Sequence, residues 1–209
     1  MWEKWVVVHV PALRLDASPT NPEIPEYLSI IIIVSENPMA MISQGVTDAI
    51  NEQIKHEFYS AYVYLSMSAY FENSNLLGFA KWMRAQAREE VTHGMKLFDF
   101  VNDRGGRIVL QSIDGPPTDF SSPLAVFEQS LKHEQAVTGM INKLYETAAK
   151  ANDFATQVAL QWFITEQVEE ENTADVIVEQ LRMIGNDRSA LLILDRELGA
   201  RQPGAESEE

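Results

Sequence analysis

The sequence predicts an all-α protein: a four-helix bundle with one long crossover and a short fifth helix near the C-terminal end. Three observations predict it. Apolar residues recur at alternating spacings of four and three in four separate stretches, the pattern of a helix face turned toward a bundle core. The breaks between those stretches run short, long, short, which makes two antiparallel hairpins joined by one crossover. Each of the four stripes also carries a carboxylate at mid-length, where an apolar side chain belongs.

The first helix is expected over about residues 43–72, with the stripe Ile50, Ile54, Glu57, Ala61, Tyr64, Ser68, and it stops at the polar run Glu72-Asn73-Ser74-Asn75. The second is expected over 76–103, with Met83, Ala87, Glu90, Gly94, Leu97, Val101 on its stripe and His93 one turn from Glu90. Gly105-Gly106 can supply its left-handed cap. A long crossover follows, containing Asp114-Gly115-Pro116-Pro117. Ser122-Pro123 then opens the third helix, Ser as N-cap and Pro at the first helical position. Its stripe holds Phe127, Leu131, Glu134, Thr138 and Ile141, and it ends near Lys150. The turn Ala151-Asn152-Asp153 leads into the fourth, whose stripe includes Leu160, Phe163, Gln167, Glu170, Ala174 and Ile177 and which stops at Gly185. A fifth helix over about 188–199 presents Ala190, Leu191, Leu194 and Leu198 on one face. A complete four-helix core leaves that face to cap the bundle end or to be buried against other subunits.

The ends of the chain follow neither pattern. Residues 1–40 hold Pro11, Pro19, Pro22, Pro25 and Pro38, five of the nine prolines, and two β-branched runs, WVVVHV (5–10) and LSIIIIV (28–34). They read as an irregular extension with two possible short strands, or as sequence upstream of a start at Met39 or Met41. Neither run is long enough to span a bilayer, and a secretory signal is not expected. Residues 41–201 form the expected domain, and 202–209 an acidic, polar tail.

Composition limits the function classes. The net charge is −15, from 31 acidic and 16 basic residues, so the surface should repel nucleic acid and anionic membranes and attract cations. There is no cysteine. That excludes a disulfide framework, an iron–sulfur cluster and a thiolate zinc site, and it fits a cytoplasmic setting.

A carboxylate buried in a bundle core costs several kcal/mol unless a charge or metal compensates it. Four helices each placing one at mid-stripe need a shared cation. Glu90-Val91-Thr92-His93 is a Glu-x-x-His whose i, i+3 spacing puts both side chains on one face. Glu57 faces it from the first helix and Glu134 from the third, while Gln167 and Glu170 come from the fourth at the same spacing. Oxygen donors with one imidazole suit iron or manganese, with zinc also able to bind. One Glu-x-x-His is a weak signal; partners at matching depth in three other helices make it specific.

The segments NEQIKHEFYSAYVYLSMSAYF (51–71), WMRAQAREEVTHGMKLFDFV (82–101), KHEQ (132–135) and LQWFITEQVEEE (160–171) resemble the motifs of prokaryotic non-haem ferritins. LRMIGNDRSALLILDRELGARQ (181–202) resembles the C-terminus of the archaeal type. The resemblance implies the ferritin-like fold and an iron-storage ferroxidase acting on Fe(II) with dioxygen or peroxide. It also implies self-assembly of identical subunits into a shell, usually of twenty-four in the family. By it, Glu57, Glu90 and His93 would hold one iron; Glu90 as bridge, Glu134 and Glu170 would hold the second. Gln167 would sit beside the pair, and Glu89, Glu166 and Glu169 would form a third-iron site sharing Glu170. Tyr64 resembles the family's tyrosine near the centre, with Trp162 a second candidate donor. No haem is expected, because Val91 stands where bacterioferritins carry their ligating methionine.

Simpler readings stand beside these. Glu171 reads as a solvated acid, and His56 and His133 as surface residues off the stripe. Tyr64 could serve only as a core aromatic whose hydroxyl bonds a ligand carboxylate, and Trp162 only as packing. A DNA-protecting mini-ferritin is disfavoured by the acidic charge, and a degenerate subunit by the complete ligand set. A peroxidase-like di-iron enzyme without storage is the nearest enzymatic alternative.

Overall fold

A computed structural model describes residues 42–200; the proposed strands at 5–10 and 28–34, His9 and the acidic tail lie outside the described residues. Five helices follow in order: α1 Gln44–Asn73, α2 Leu77–Asp103, α3 Pro123–Lys150, α4 Phe154–Ile184 and α5 Arg188–Gly199. Strands are absent among the described residues. α1 pairs with α2 and α3 with α4, and the crossover of residues 104–122 joins the two hairpins.

The local signals act as the residue types dictate. Ser122 Oγ accepts from the Ala125 N–H at 3.1 Å, with Pro123 opening α3. Asp153 Oδ1 accepts from the Thr156 N–H at 3.1 Å and caps α4. Burial alone would raise the Asp153 carboxyl, but hydrogen bonds from Arg104 and Thr156 outweigh it and hold the group below its usual range. The Arg104–Asp153 pair, at 3.0 Å, ties the end of the first hairpin to the turn of the second. Gly105 closes α2 at φ 67°, and the Gly106 N–H reaches back to the Val101 carbonyl at 2.8 Å, the bond pattern that satisfies terminal carbonyls. Asn75 and Asn152 turn the two hairpins at φ 57° and 54°.

α5 closes one end of the bundle. Leu194 is buried in the apolar layer formed by Phe71, Phe79, Trp82 and Leu181, with Leu191 and Leu198 packed against it. The contact with α2 is close enough to require glycine: a Cβ on Gly78 would lie 1.6 Å from the Asp195 carbonyl oxygen, and one on Gly199 would lie 2.9 Å from the Gly78 Cα. α2 has no side-chain cap of its own at Leu76. Asp195 of α5 supplies one instead, its Oδ1 accepting from the Gly78 and Phe79 N–H groups at 2.8 and 3.0 Å.

The core is layered. One apolar layer includes Met67, Phe71, Phe79, Trp82 and Phe127. A second includes Ile50, Ile54, Leu97, Val101, Ile141 and Leu160. Along every long helix the stripe passes from one layer to the other through a polar step, at Glu57, at Glu90 and His93, at Glu134, and at Gln167 and Glu170. A polar belt therefore crosses the bundle between two dry layers.

Candidate metal centre

The belt is secluded. Glu57, Glu90 and Glu134 are 1–2% exposed, Gln167 4%, His93 5% and Glu170 7%. Glu57, Glu90 and His93 each turn a ligand atom inward, all within 4.8 Å of one another, close enough for one cation to touch all three. The His93 Nδ1 lies 3.6 Å from Glu90 Oε2, on the same helix. Glu134 approaches from α3, where Tyr64 donates a short hydrogen bond to it and the Gln167 amide lies 3.2 Å from its Oε2. Glu170 is held from α2 by Gln86 Nε2 at 2.7 Å.

The electrostatics fit a cation. Burial raises Glu57 to about 7, with Glu134 adding to the rise. Burial, then the charges of Glu134, Glu57 and Glu170, push Glu90 well above the carboxylate range. Burial also raises Glu134. Glu57 and Glu90 face each other in the belt, and both carboxyls are shifted upward, so the metal-free pair favours holding a proton. His93 is pushed down to about 4 by burial and then by Lys96. It is a neutral imidazole at pH 7, free to donate a lone pair. The belt thus holds acids that ionise at high cost beside a histidine that resists protonation. A divalent cation reverses both costs by neutralising the carboxylates and taking the imidazole lone pair.

Tyr64 is fully buried, and its phenol is pushed well above its ordinary range by burial and then by Glu134. Its hydroxyl also lies 3.0 Å from Ser130 Oγ. Trp162 is half-buried, its ring edge-on to His93 with centroids 5.3 Å apart. Glu89 and Glu166 are half-buried and Glu169 is exposed, all beside the belt on α2 and α4.

Two expectations change. His133 is not a surface residue: its Nε2 lies 2.8 Å from Ser60 Oγ and its ring meets Tyr59 and Tyr64. Ser60 Oγ donates to the His56 carbonyl at 3.0 Å, so the imidazole must donate to it through Nε2–H. α3 turns this face toward α1, which a stripe read on α3 alone does not show. Glu171 is half-buried and accepts a hydrogen bond from Thr138. Three positioning groups are not evident from the stripes: Gln53, which donates to Glu57 Oε1 at 2.8 Å, and Gln86 and Ser130. One signal could have found the glutamines. Gln53 and Gln86 stand four residues before Glu57 and Glu90, on the same inward faces.

A bundle of this topology with a carboxylate–histidine belt through its core defines a class of proteins that hold metal between four helices. Comparison with known proteins narrows the class. A ferritin-like domain model matches residues 47–184. The chain is 40% identical over 161 residues to a bacterial non-heme ferritin of Staphylococcus aureus, a match covering 77% of this chain and 97% of that protein. To the counterpart in Staphylococcus saprophyticus it is 42% identical over 161 residues, covering 77% and 96%. Among solved structures, an open-pore ferritin from the hyperthermophilic archaeon Archaeoglobus fulgidus is 53% identical with a TM-score of 0.77, covering 78% of this chain and 99% of that one. A form of the A. fulgidus ferritin engineered to be closed is likewise 53% identical, with a TM-score of 0.76 and coverages of 77% and 98%. The chain belongs to the ferritin family. No helix among the described residues is long and apolar enough to cross a membrane.

Proposed function

We propose that this chain is an iron-storage ferritin of the archaeal type that oxidises Fe(II) at the belt and deposits Fe(III) as mineral inside a shell of identical subunits. The observation that carries the reading is the convergence of Glu57, Glu90 and His93 on one point in a core where Glu134, Gln167 and Glu170 also lie buried. The iron is substrate and cargo. One Fe(II) is held by Glu57, Glu90 and His93, and the second by Glu90, Glu134 and Glu170. Two Fe(II) yield two electrons, which reduce dioxygen to hydrogen peroxide with uptake of two protons, or peroxide to water. A proton retained on the raised Glu57 and Glu90 carboxyls would leave when metal enters, so binding and proton release are one event.

The other side chains have roles that follow from their contacts. Gln53 and Gln86 fix the rotamers of Glu57 and Glu170. The Gln167 amide, within reach of Glu134 and 3.3 Å from Thr138 Oγ1, orients Glu134 and presents a polar face to an entering oxidant. Tyr64, bonded to Glu134, can pass a proton to that carboxylate if it gives up an electron. Glu89, Glu166, Glu169 and Glu170 form the third-iron position that leads away from the belt. Storage, as opposed to oxidation alone, is supported by α5 and by two exposed apolar residues, Ile193 on α5 and Met183 near the end of α4, which suit burial against neighbouring subunits.

Aerobic addition of Fe(II), followed by ferric absorbance, tests the reading. Fast oxidation of two Fe(II) per subunit, then soluble mineral, is expected for the native chain, with the fast phase lost in Glu90→Ala. Oxidation no faster than in buffer, or a variant that behaves like the native chain, would remove the ferroxidase assignment.

A further inference from the structure

Lys96 of α2 lays its side chain across α4. Its ammonium rests over the Trp162 ring, with Nζ 3.0 Å from the centroid. Trp162 in turn stands edge-on to His93. The helix register explains the placement. Gln86 of α2 meets Glu170 of α4, and further along α2 His93 meets Trp162, so the two helices run antiparallel. Lys96 lies one turn beyond His93 on α2, and Glu166 one turn beyond Trp162 on α4. Because helical side chains lean toward the N-terminus, a lysine at 96 reaches back across Trp162 toward Glu166. The charge relation agrees with this path. Glu166, on the neighbouring helix, favours the protonated ammonium. An indole face attracts a cation only weakly at an exposed site, which keeps the ammonium at this spot without fixing it there.

We propose that Lys96 is a tethered counter-ion, held on Trp162, that occupies the electrostatic place of a third cation beside Glu166 and must be displaced when one binds. It is a positioning residue and touches neither of the two irons held by the belt. Its ammonium weakens metal binding on the α2–α4 acidic face. An ion arriving there meets competition, and the two-iron belt fills first. The proposal rests on the third-iron position at Glu89, Glu166, Glu169 and Glu170, but it concerns the charge of Lys96 and can fail while that position stands.

The test is an anaerobic titration of the assembled metal-free protein with Co(II), followed by its d–d absorbance and by Trp emission. Lys96→Met and Lys96→Arg are compared with the native chain at low and at high salt. Lys96→Met is expected to tighten the third binding event by ~10-fold, the scale of one partly screened unit charge. The gain should shrink at high salt, and Lys96→Arg should bind as the native chain does. In the native chain the third event should also change indole emission as the ammonium leaves the ring. A third event in Lys96→Met within twofold of native would overturn the proposal, as would equal tightening in Lys96→Arg. Should the native chain show only two events, the third-iron reading is wrong for it. A third event in Lys96→Met would then show the lysine blocking the position, and none would dismiss the lysine as well.

Discussion

At the scale of single residues, the belt is built against the stability of the metal-free fold. Glu90 is buried among Glu57, Glu134 and Glu170, so folding at pH 7.5 must draw a proton onto a carboxyl that is ionised in the unfolded chain, and a neutral side chain of the same shape avoids that cost. Glu90→Gln is therefore expected to raise the stability of the metal-free protein at pH 7.5 by roughly 1–3 kcal/mol while it destroys tight metal binding. Chemical denaturation with and without metal checks both effects, and a destabilised metal-free variant would argue that Glu90 is structural. The pH dependence has a definite sign. Glu57 titrates at about 7 in the fold and at 4.5 without it. The fold therefore holds that proton more tightly, and metal-free stability is lost as pH rises from about 4.5 to 7. His93 moves the other way, to about 4 from 6.5, so stability is lost as pH falls through that window. Metal removes the carboxylate cost above pH 7 but must compete with protons below it. The thermal shift produced by Zn(II) should be larger at pH 7.5 than at pH 5.5. An equal or reversed difference would contradict a belt that holds its protons on Glu57 and Glu90 and leaves His93 neutral.

The helices themselves are the most legible level. Ser122-Pro123, Gly105-Gly106, Asn152-Asp153 and Gly185 are local devices whose chemistry acts within a few residues, so their boundaries follow from sequence. The stripes are equally readable, because burial of Glu57, Glu90, Glu134 and Glu170 is set by position on a single helix. What a single helix does not encode depends on two helices at once. Gln86 bonds Glu170 on α4, His133 bonds Ser60 on α1, and Asp195 of α5 caps α2 across a long stretch of chain. No spacing rule within one helix specifies those partners. The α2–α5 junction gives a prediction at this scale. Gly78→Ala must push α5 off α2, because its Cβ would overlap the Asp195 backbone. Asp195→Ala removes only the shared cap. Losses of about 2–4 and about 1–2 kcal/mol respectively are expected in equilibrium unfolding. A Gly78→Ala protein as stable as native would mean that α5 does not dock as described.

For the whole molecule, two apolar layers shield the belt and fix its spacing, while the net negative charge favours cations near the protein. The net charge of −15 is evident from composition, yet composition does not say where those charges lie. Assembly is legible only in part. The apolar face of α5 is visible in the sequence, and Leu194 turns it into the bundle end, but Ile193 and Met183 remain outward, 65% and 79% exposed. Under the proposed function the belt would work inside each subunit, because all its residues come from one chain, and assembly would serve storage and not oxidation. The central claim is a pair of ions sharing Glu90. Anomalous diffraction at the iron edge, on crystals loaded with Fe(II) without oxygen, tests that claim most directly. Two peaks per subunit are predicted, one among Glu57, Glu90 and His93 and the other among Glu90, Glu134 and Glu170. A single peak, or peaks away from Glu90, would contradict it.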